Sequence, residues 1–580
     1  MLSRTLKLSL LVLLAVSVRG QAPQPASSGG PRQPQSRYPE QARSVVVSRG
    51  GIVAASQTLA SQAGAAILDK GGSAVDAAIA ANAVLGVMEP VTNGIGGDLL
   101  AIVYDAKSKK LYGLNSSGWA PAGLSLASLD ARGIHGRPPA HSIHFVTVPG
   151  AVAGWDALHH KFGKLPFADL MTSAIYYAEE GFPVQERMAG LWNQFGTRLA
   201  SVPGFKETFL PNGQAPKPGE VFRNPALASS LRLIAEHGRD GFYNGPLANT
   251  IVQYSKAQGG TMTAADLETF QPEWVDPISV TYHGWTIWEL PPTSIGMAAL
   301  SMLNIMERFP LSDYGQNSAR ALHVMIEAKK LAYADVARYD GDPTASSIPV
   351  TEAISKSLAE QRAKLIDPNQ AHCQVLPSDL TDKLNAMGKD TTYLSVVDAE
   401  GNIVSLIQSV YDEFGTGLVV PGAGFPLHDR GALFDFEPGK PNTVSPHKRP
   451  TTTLIPGFME KDDVKIGFGI MGGFNQAQAH AQFVSNLVDF GFNIQAALEA
   501  PRFTKLNFDG CDVMIESPVP EAARSALIAW GHQLRVTGPF NYSMGRGNAV
   551  MVDGKGVHYG ASDPRGDGEA IPQSPLVPRR

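Results

Sequence analysis

The chain of 580 residues carries a formal net charge of −5, and 17% of its side chains are charged. That length admits several domains or one large α/β enzyme, and its apolar content excludes a disordered chain. A small net charge without a long basic run excludes a nucleic-acid surface, which needs clustered Lys and Arg to meet phosphates.

The first stretch, MLSRTLKLSLLVLLAVSVRG, has Arg4 and Lys7 ahead of a short apolar run and a small-residue exit at Gly20. It reads as a signal peptide over residues 1–20, which predicts a secreted or periplasmic protein. The run is shorter than the ~20 residues a membrane span needs, so no stable span is expected after its removal. Residues 21–44 are rich in Pro, Gln, Ser and Gly and read as a flexible leader. Structure is expected from SVVVSRGGIVAAS onward.

Two small-residue helices follow, the first ending at Lys70 before Gly71–Gly72 and the second capped by Ser73 and running towards Leu85. NGIGGDLLAIVYDAKSKKLYGLN predicts a glycine turn and a strand hairpin. Residues 141–270 and 297–367 read as mostly helical. From 391 the pattern changes. TTYLSVVD alternates, AEGN is a tight turn, and NIVSLIQSV returns. A single helix is expected after the MGG of residues 471–473, and GNAVMVDGKGVHYGASDP closes the chain as a hairpin. Strands at both ends with helices between and outside predict a layered α/β/β/α body.

Only Cys373 and Cys511 are present. Two cysteines make neither a disulfide framework nor a Cys-rich zinc site. One disulfide and two unpaired thiols both remain open. There is no HExxH, and the histidines do not cluster along the sequence at ligand spacing, so no metal and no cofactor are expected. GFGIMG, residues 467–472, matches GxGxxG after a strand. A dinucleotide site would also need an acidic residue ending a second strand about 20 residues on, and Asp489 falls in a helical stretch instead. Gly472 and Gly473, between strand and helix, suit a different use. Without side chains they allow close approach to backbone amides at a helix start, the chemistry of an oxyanion hole. A turn that merely needs glycine stays open at this point.

A threonine hydroxyl is a poor nucleophile unless a base takes its proton. An N-terminal threonine carries that base as its own α-amine. Thr391 would reach that state only if the Asp390–Thr391 bond were broken, and strand propensity alone gives Thr391–Thr392 a structural role.

The ordered motifs LASQAGAAILDKGGSAVDAAIAANAVLGVMEPVTNGIGGD, VPGAVAGWDALHHKFGKLPFADL, DTTYLSVVDAEGN, FGTGLVVPGAG, KRPTTTLIPG, MGGFNQAQAH, DFGFNIQAALEAPRF and YGASDPRGDG resemble the γ-glutamyltransferase family of N-terminal nucleophile hydrolases. Most of residues 45–568 share in the likeness. RGALFDFEPGKPN and MGGFNQAQAH are most similar to its γ-glutamyltransferase-like and cephalosporin-acylase-like branch. The resemblance implies an α+β fold, a four-layer αββα sandwich formed jointly by a large chain (45–390) and a small chain (391–580) after self-cleavage. The two would remain a heterodimer, possibly paired again. It further implies Thr391 as nucleophile, Thr392 as its orienting neighbour, Ser409 as a hydroxyl that assists cleavage, and Gly472 and Gly473 as the oxyanion pair. The expected substrate is a γ-glutamyl or related acyl amide such as glutathione, resolved by water or an amine. An acylase for glutaryl-type or cephalosporin amides, and an uncleaved homologue with a binding role, are the alternatives.

The pocket departs from the family pattern. The arginine that holds the glutamate α-carboxylate is matched by Ser117, and the acid that holds its α-amine is matched by Leu433. Tyr411 replaces an asparagine, and Thr452 and Thr453 replace a serine pair. Arg430 stands near the lost acid. It is either a surface or loop-bracing arginine, or the anchor for an acyl group ending in a carboxylate. Asp412, Glu413, Asp429 and Asp435 are candidates for a displaced amine site.

Overall fold

The computed structural model describes residues 41–376, 391–505, 507–508 and 510–575. The signal-peptide expectation, residues 21–40 of the expected leader, and Asp390 of the expected cleavage bond lie outside these residues; the last leader residues, 41–44, are described, and Arg43 donates to Glu499 and to Gly568 O.

In chain order, β1 (Val46–Ser48), β2 (Ile52–Ala55), β3 (Asp98–Asp105) and β4 (Lys110–Ser116) open the fold. A small hairpin, β5 (Phe182–Pro183) and β6 (Val221–Phe222), interrupts a helical stretch. Next come β7 (Glu273–Val275), β8 (Ile278–Tyr282) and β9 (Trp285–Glu289), and after more helices β10 (Thr392–Val397), β11 (Ile403–Ser409), β12 (Gly457–Lys461) and β13 (Val464–Ile470). A minor sheet holds β14 (Phe503–Thr504), β15 (Asp512–Glu516) and β16 (Gln533–Thr537). The last strands are β17 (Gly547–Val552), β18 (His558–Ser562) and β19 (Glu569–Pro572).

Two seven-stranded antiparallel sheets result. One runs β19-β2-β10-β11-β3-β4-β7 and the other β1-β18-β17-β13-β12-β9-β8. Strand alternation sorts their side chains. Ile52, Ala54, Leu100, Ile102, Tyr393, Ile403 and Ile407 meet the second sheet in an inter-sheet core. Val53, Ala55, Leu99, Ala101, Leu394, Val396, Val404 and Leu406 face helices that include Thr58–Asp69 and Ala74–Met88. The helices Gly296–Met306, Ala319–Tyr339 and Asn475–Val488 cover the far face of the second sheet. The expected αββα sandwich is therefore observed.

Local signals act where expected. Lys70 caps the first helix, and Ser73 forms a capping box with Asp76 on the second. Two expectations are corrected. The edge strands β7 and β8, and β9 beside β8, are additional to the expected strands, and the helix after Gly473 is followed by two more, Ile494–Glu499 and Glu521–Ala529. Gly467 and Gly469 explain the false dinucleotide motif. Both lie inside β13 facing the other sheet, where a Cβ on Gly469 would come within 2.4 Å of the Tyr393 ring. Cys373 and Cys511 form a disulfide. Among the described residues, no helix is long and apolar enough to cross a membrane.

Candidate active site

β10 and β11 pair with Thr392 opposite Gln408, and β11 pairs with β3 with Ser409 opposite Asp98. Continuing those registers by one residue sets Thr391, Ser409, Asp98 and Ser117 in a row across one end of the sheet. Alternation aims all four side chains at the inter-sheet space. Thr391 is 1% exposed, and the other three are fully buried.

The second sheet supplies the facing wall. β13 ends at Ile470, whose amide donates to His480 Nε2 at 3.1 Å, and His480 Nδ1 lies 2.7 Å from Glu289 Oε1. The chain then turns through Gly472 (φ 135°) and Gly473 (φ 57°), a left-handed path that favours glycine, into the helix Asn475–Val488. Gln476, whose amide donates to Gly473 O, brings its Nε2 within 3.5 Å of Thr391 Oγ1. The glycine turn is thus one side chain away from Thr391.

Thr392 points the other way. Its hydroxyl donates to Glu89 Oε2 at 2.9 Å and lies 2.9 Å from Thr92 Oγ1. Arg546 Nη1 stands 3.8 Å from Glu89 Oε1. Ser409 Oγ accepts from the Tyr411 amide at 2.7 Å, and Tyr411 adopts φ 77°.

Arg430 is neither at the surface nor solvated. It is fully buried, with Nε 3.2 Å from Asp98 Oδ2, Nη1 donating to Thr453 Oγ1 at 3.3 Å, and its guanidinium 5.0 Å from the Tyr411 ring centre. His428 Nδ1 lies 3.3 Å from the same Asp98 oxygen, and the Gly118 amide donates to the other. Burial alone would raise the Asp98 pKa. His428, Arg430 and the Gly118 amide outweigh it and hold the carboxyl below its usual range. A buried guanidinium thus stands against Asp98, on the strand next to that of Ser117. The Thr452 amide donates to Thr293 O and its hydroxyl accepts from the Leu454 amide.

The expected residues Thr391, Ser409, Gly472 and Gly473 converge, and Tyr411, Arg430 and Thr453 flank them. Glu89, Thr92, Asp98, His428 and Gln476 were missed. A buried acid beside Thr-Asn or Gly-Gly has no periodic signature, although MEPVTNGIGGD lay in plain view. The histidines need a further correction, because the fold brings His323, Glu327 and His532 together away from this site. Their donor atoms are already engaged. His323 Nδ1 and His532 Nε2 lie 2.8 Å apart, and Lys330 Nζ is 2.6 Å from Glu327 Oε1. An ammonium at that distance competes with any cation for the carboxylate.

The family model for gamma-glutamyltranspeptidase matches residues 60–573. The chain belongs to the γ-glutamyltranspeptidase family. It is an enzyme of the N-terminal nucleophile hydrolase type. The glutathione hydrolase-like YwrD proenzyme of Bacillus subtilis is 35% identical over 91% of this chain and 99% of its own length. The oxamate amidohydrolase proenzyme of Klebsiella pneumoniae is 34% identical over 90% of this chain and 98% of its own. The crystal structure of cephalosporin acylase from Bacillus halodurans superposes with a TM-score of 0.85 at 41% identity, covering 93% of this chain and 99% of that one. Relatives of similar size and likeness thus carry different activities on one γ-glutamyltranspeptidase scaffold.

Proposed function

We propose that this γ-glutamyltranspeptidase-family enzyme is a self-processing amidohydrolase with Thr391 as its nucleophile. In processing, Thr391 Oγ attacks the Asp390 carbonyl, the peptide bond becomes an ester, and water cleaves it. This frees the Thr391 α-amine. In turnover that amine takes the hydroxyl proton as Oγ attacks the amide of a γ-glutamyl-type substrate, glutathione included. The Gly472 and Gly473 amides meet the oxyanion. The proton passes to the departing amine, and water or a second amine resolves the acyl-Thr391 ester. The observation that carries this reading is the approach of Gln476, in the first turn of the helix that follows the glycines, to within 3.5 Å of the Thr391 hydroxyl. Relatives named as glutathione hydrolase and acylase proenzymes support it. The test is the intact mass of purified protein. Wild type is expected as two chains, the smaller beginning at Thr391, and Thr391→Ala as one. Efficient cleavage of that variant at 390/391 removes the assignment.

A second reading concerns the acyl group. Leu433 leaves no acid at the expected amine position, while Arg430 stands over Asp98, two strands from Thr391, or about 10 Å at a strand spacing of ~4.8 Å. That favours an acyl chain ending in a carboxylate, glutaryl-type as much as γ-glutamyl. Rates on γ-glutamyl and glutaryl anilides separate the two.

A further inference from the structure

A cavity of about 380 Å³ opens beside the glycine turn, with Phe474, the residue after Gly473, in its wall. Leu433 and Thr451 form other parts of that wall, and the last turn of the helix Ala319–Tyr339 closes it, ending in Asp340. Asp340 is 6% exposed, yet neither carboxylate oxygen has a hydrogen-bond partner. Thr451 and the Gly341 amide approach it without hydrogen-bond geometry, and burial pushes its pKa well up. A buried carboxyl left without partners is costly, and such groups are normally satisfied.

We propose that this cavity is an ammonium-binding subsite and that Asp340 becomes its anion, giving up its proton to solvent as the cation enters and offsets the cost of its burial. Three features select a cation of that kind. Asp340 caps the C-terminal end of a 21-residue helix, where the macrodipole and the unpaired last carbonyls favour positive charge. Asp435, also in the wall, already faces Lys440 Nζ at 3.5 Å, so one carboxylate remains, too few for a hard metal ion that needs six or more oxygens. Leu433 lines the same space, so an acid missing from one wall is supplied from another. Arg338 and Lys440 share the cavity; Lys440 is paired with Asp435 and Glu437, so Arg338, whose Nη1 has no hydrogen-bond partner, is the wall cation with which an incoming ammonium competes. Two parts of a substrate carry a primary ammonium that this subsite fits: the acyl group, as in γ-glutamyl, and the amine partner, as in a peptide. Its reading as a subsite of the Thr391 reaction rests on the function proposed above, but occupancy does not require turnover.

Binding is measured on purified full-length protein by calorimetry, with L-glutamate against glutarate and a dipeptide against its N-acetyl form. Wild type is expected to favour the ammonium member of at least one pair by about tenfold or more, the share of a charge-assisted hydrogen bond. Asp340→Asn should erase that preference, and Asp340→Glu should retain part of it. Loss confined to the glutamate pair assigns the ammonium to the acyl group, and loss confined to the dipeptide pair assigns it to the amine partner. A wild type without preference in either pair overturns the proposal before any variant is made. So does a preference that survives Asp340→Asn. An uncut chain with an Asp340-dependent preference would fail the self-processing reading alone, while a cleaved, active enzyme without the preference would fail only this one.

Discussion

Thr391 and Thr392 are adjacent, but they serve opposite faces of one strand. Thr391 looks into the inter-sheet space towards the glycine turn, whereas Thr392 shares the helix-side face with Leu394 and Val396 and holds the buried Glu89. The doubled hydroxyl is thus one candidate nucleophile and one clamp. Thr392→Val keeps the shape and removes the clamp's donor, leaving Glu89 to Thr92 and Arg546. Withdrawing a hydrogen bond from a buried carboxylate costs about 1–3 kcal/mol. The expected result is a lower urea midpoint with two-chain maturation retained, read by denaturation and intact mass. A variant as uncut as Thr391→Ala would show that the clamp and nucleophile roles had been confused. At this scale the sequence yielded the residues whose chemistry is local: the threonine pair, Ser409 and the glycines. It did not yield Asp98 and His428, because a contact drawn from β3 and the 428–430 turn exists only after the chain has folded.

Among the elements, β13 decides how closely the two sheets approach. Its alternate glycines, Gly467 and Gly469, leave room for Ser395, Ile403 and the Tyr393 ring of β10 and β11. A Cβ at 469 would press on Tyr393, two residues from Thr391. Overpacking of that kind costs about 1–3 kcal/mol. Gly469→Ala is therefore expected to lower the melting temperature and to slow appearance of the small chain in a time course, whereas an unchanged melt would contradict close sheet contact at this strand. The β10–β11 hairpin, the capped helices and the closing hairpin were legible because period, cap and turn residues agree within short windows. β7, β8 and β9 were not, since strands this short, at or next to a sheet edge, carry a weak alternation that their neighbours complete. The glycines of β13 matched a phosphate-loop pattern because close packing and phosphate binding both call for a missing side chain.

For the whole molecule, the expected cut at 390/391 would leave each sheet built from strands of both chains. β10 and β11, from the small chain, pair with β2 and β3 of the large one, while β12 pairs with β9 and β18 with β1. Cleavage would therefore separate the chain covalently without dividing the core. The disulfide adds a second tie, because Cys373 precedes the cut and Cys511 follows it, 138 residues apart. In the uncut protein it closes a long loop, which in chain-entropy terms contributes roughly 4–5 kcal/mol. After the cut it becomes a covalent link between two chains. The denatured mature protein should then run as one species on a gel without reductant and as two with it. Cys373→Ser should run as two in both lanes. Under native conditions the reduced protein should still elute as one particle, since the shared sheets hold it without the bridge. Separation of the chains by reductant alone would mean that the disulfide, and not the interleaved sheets, keeps the mature enzyme together.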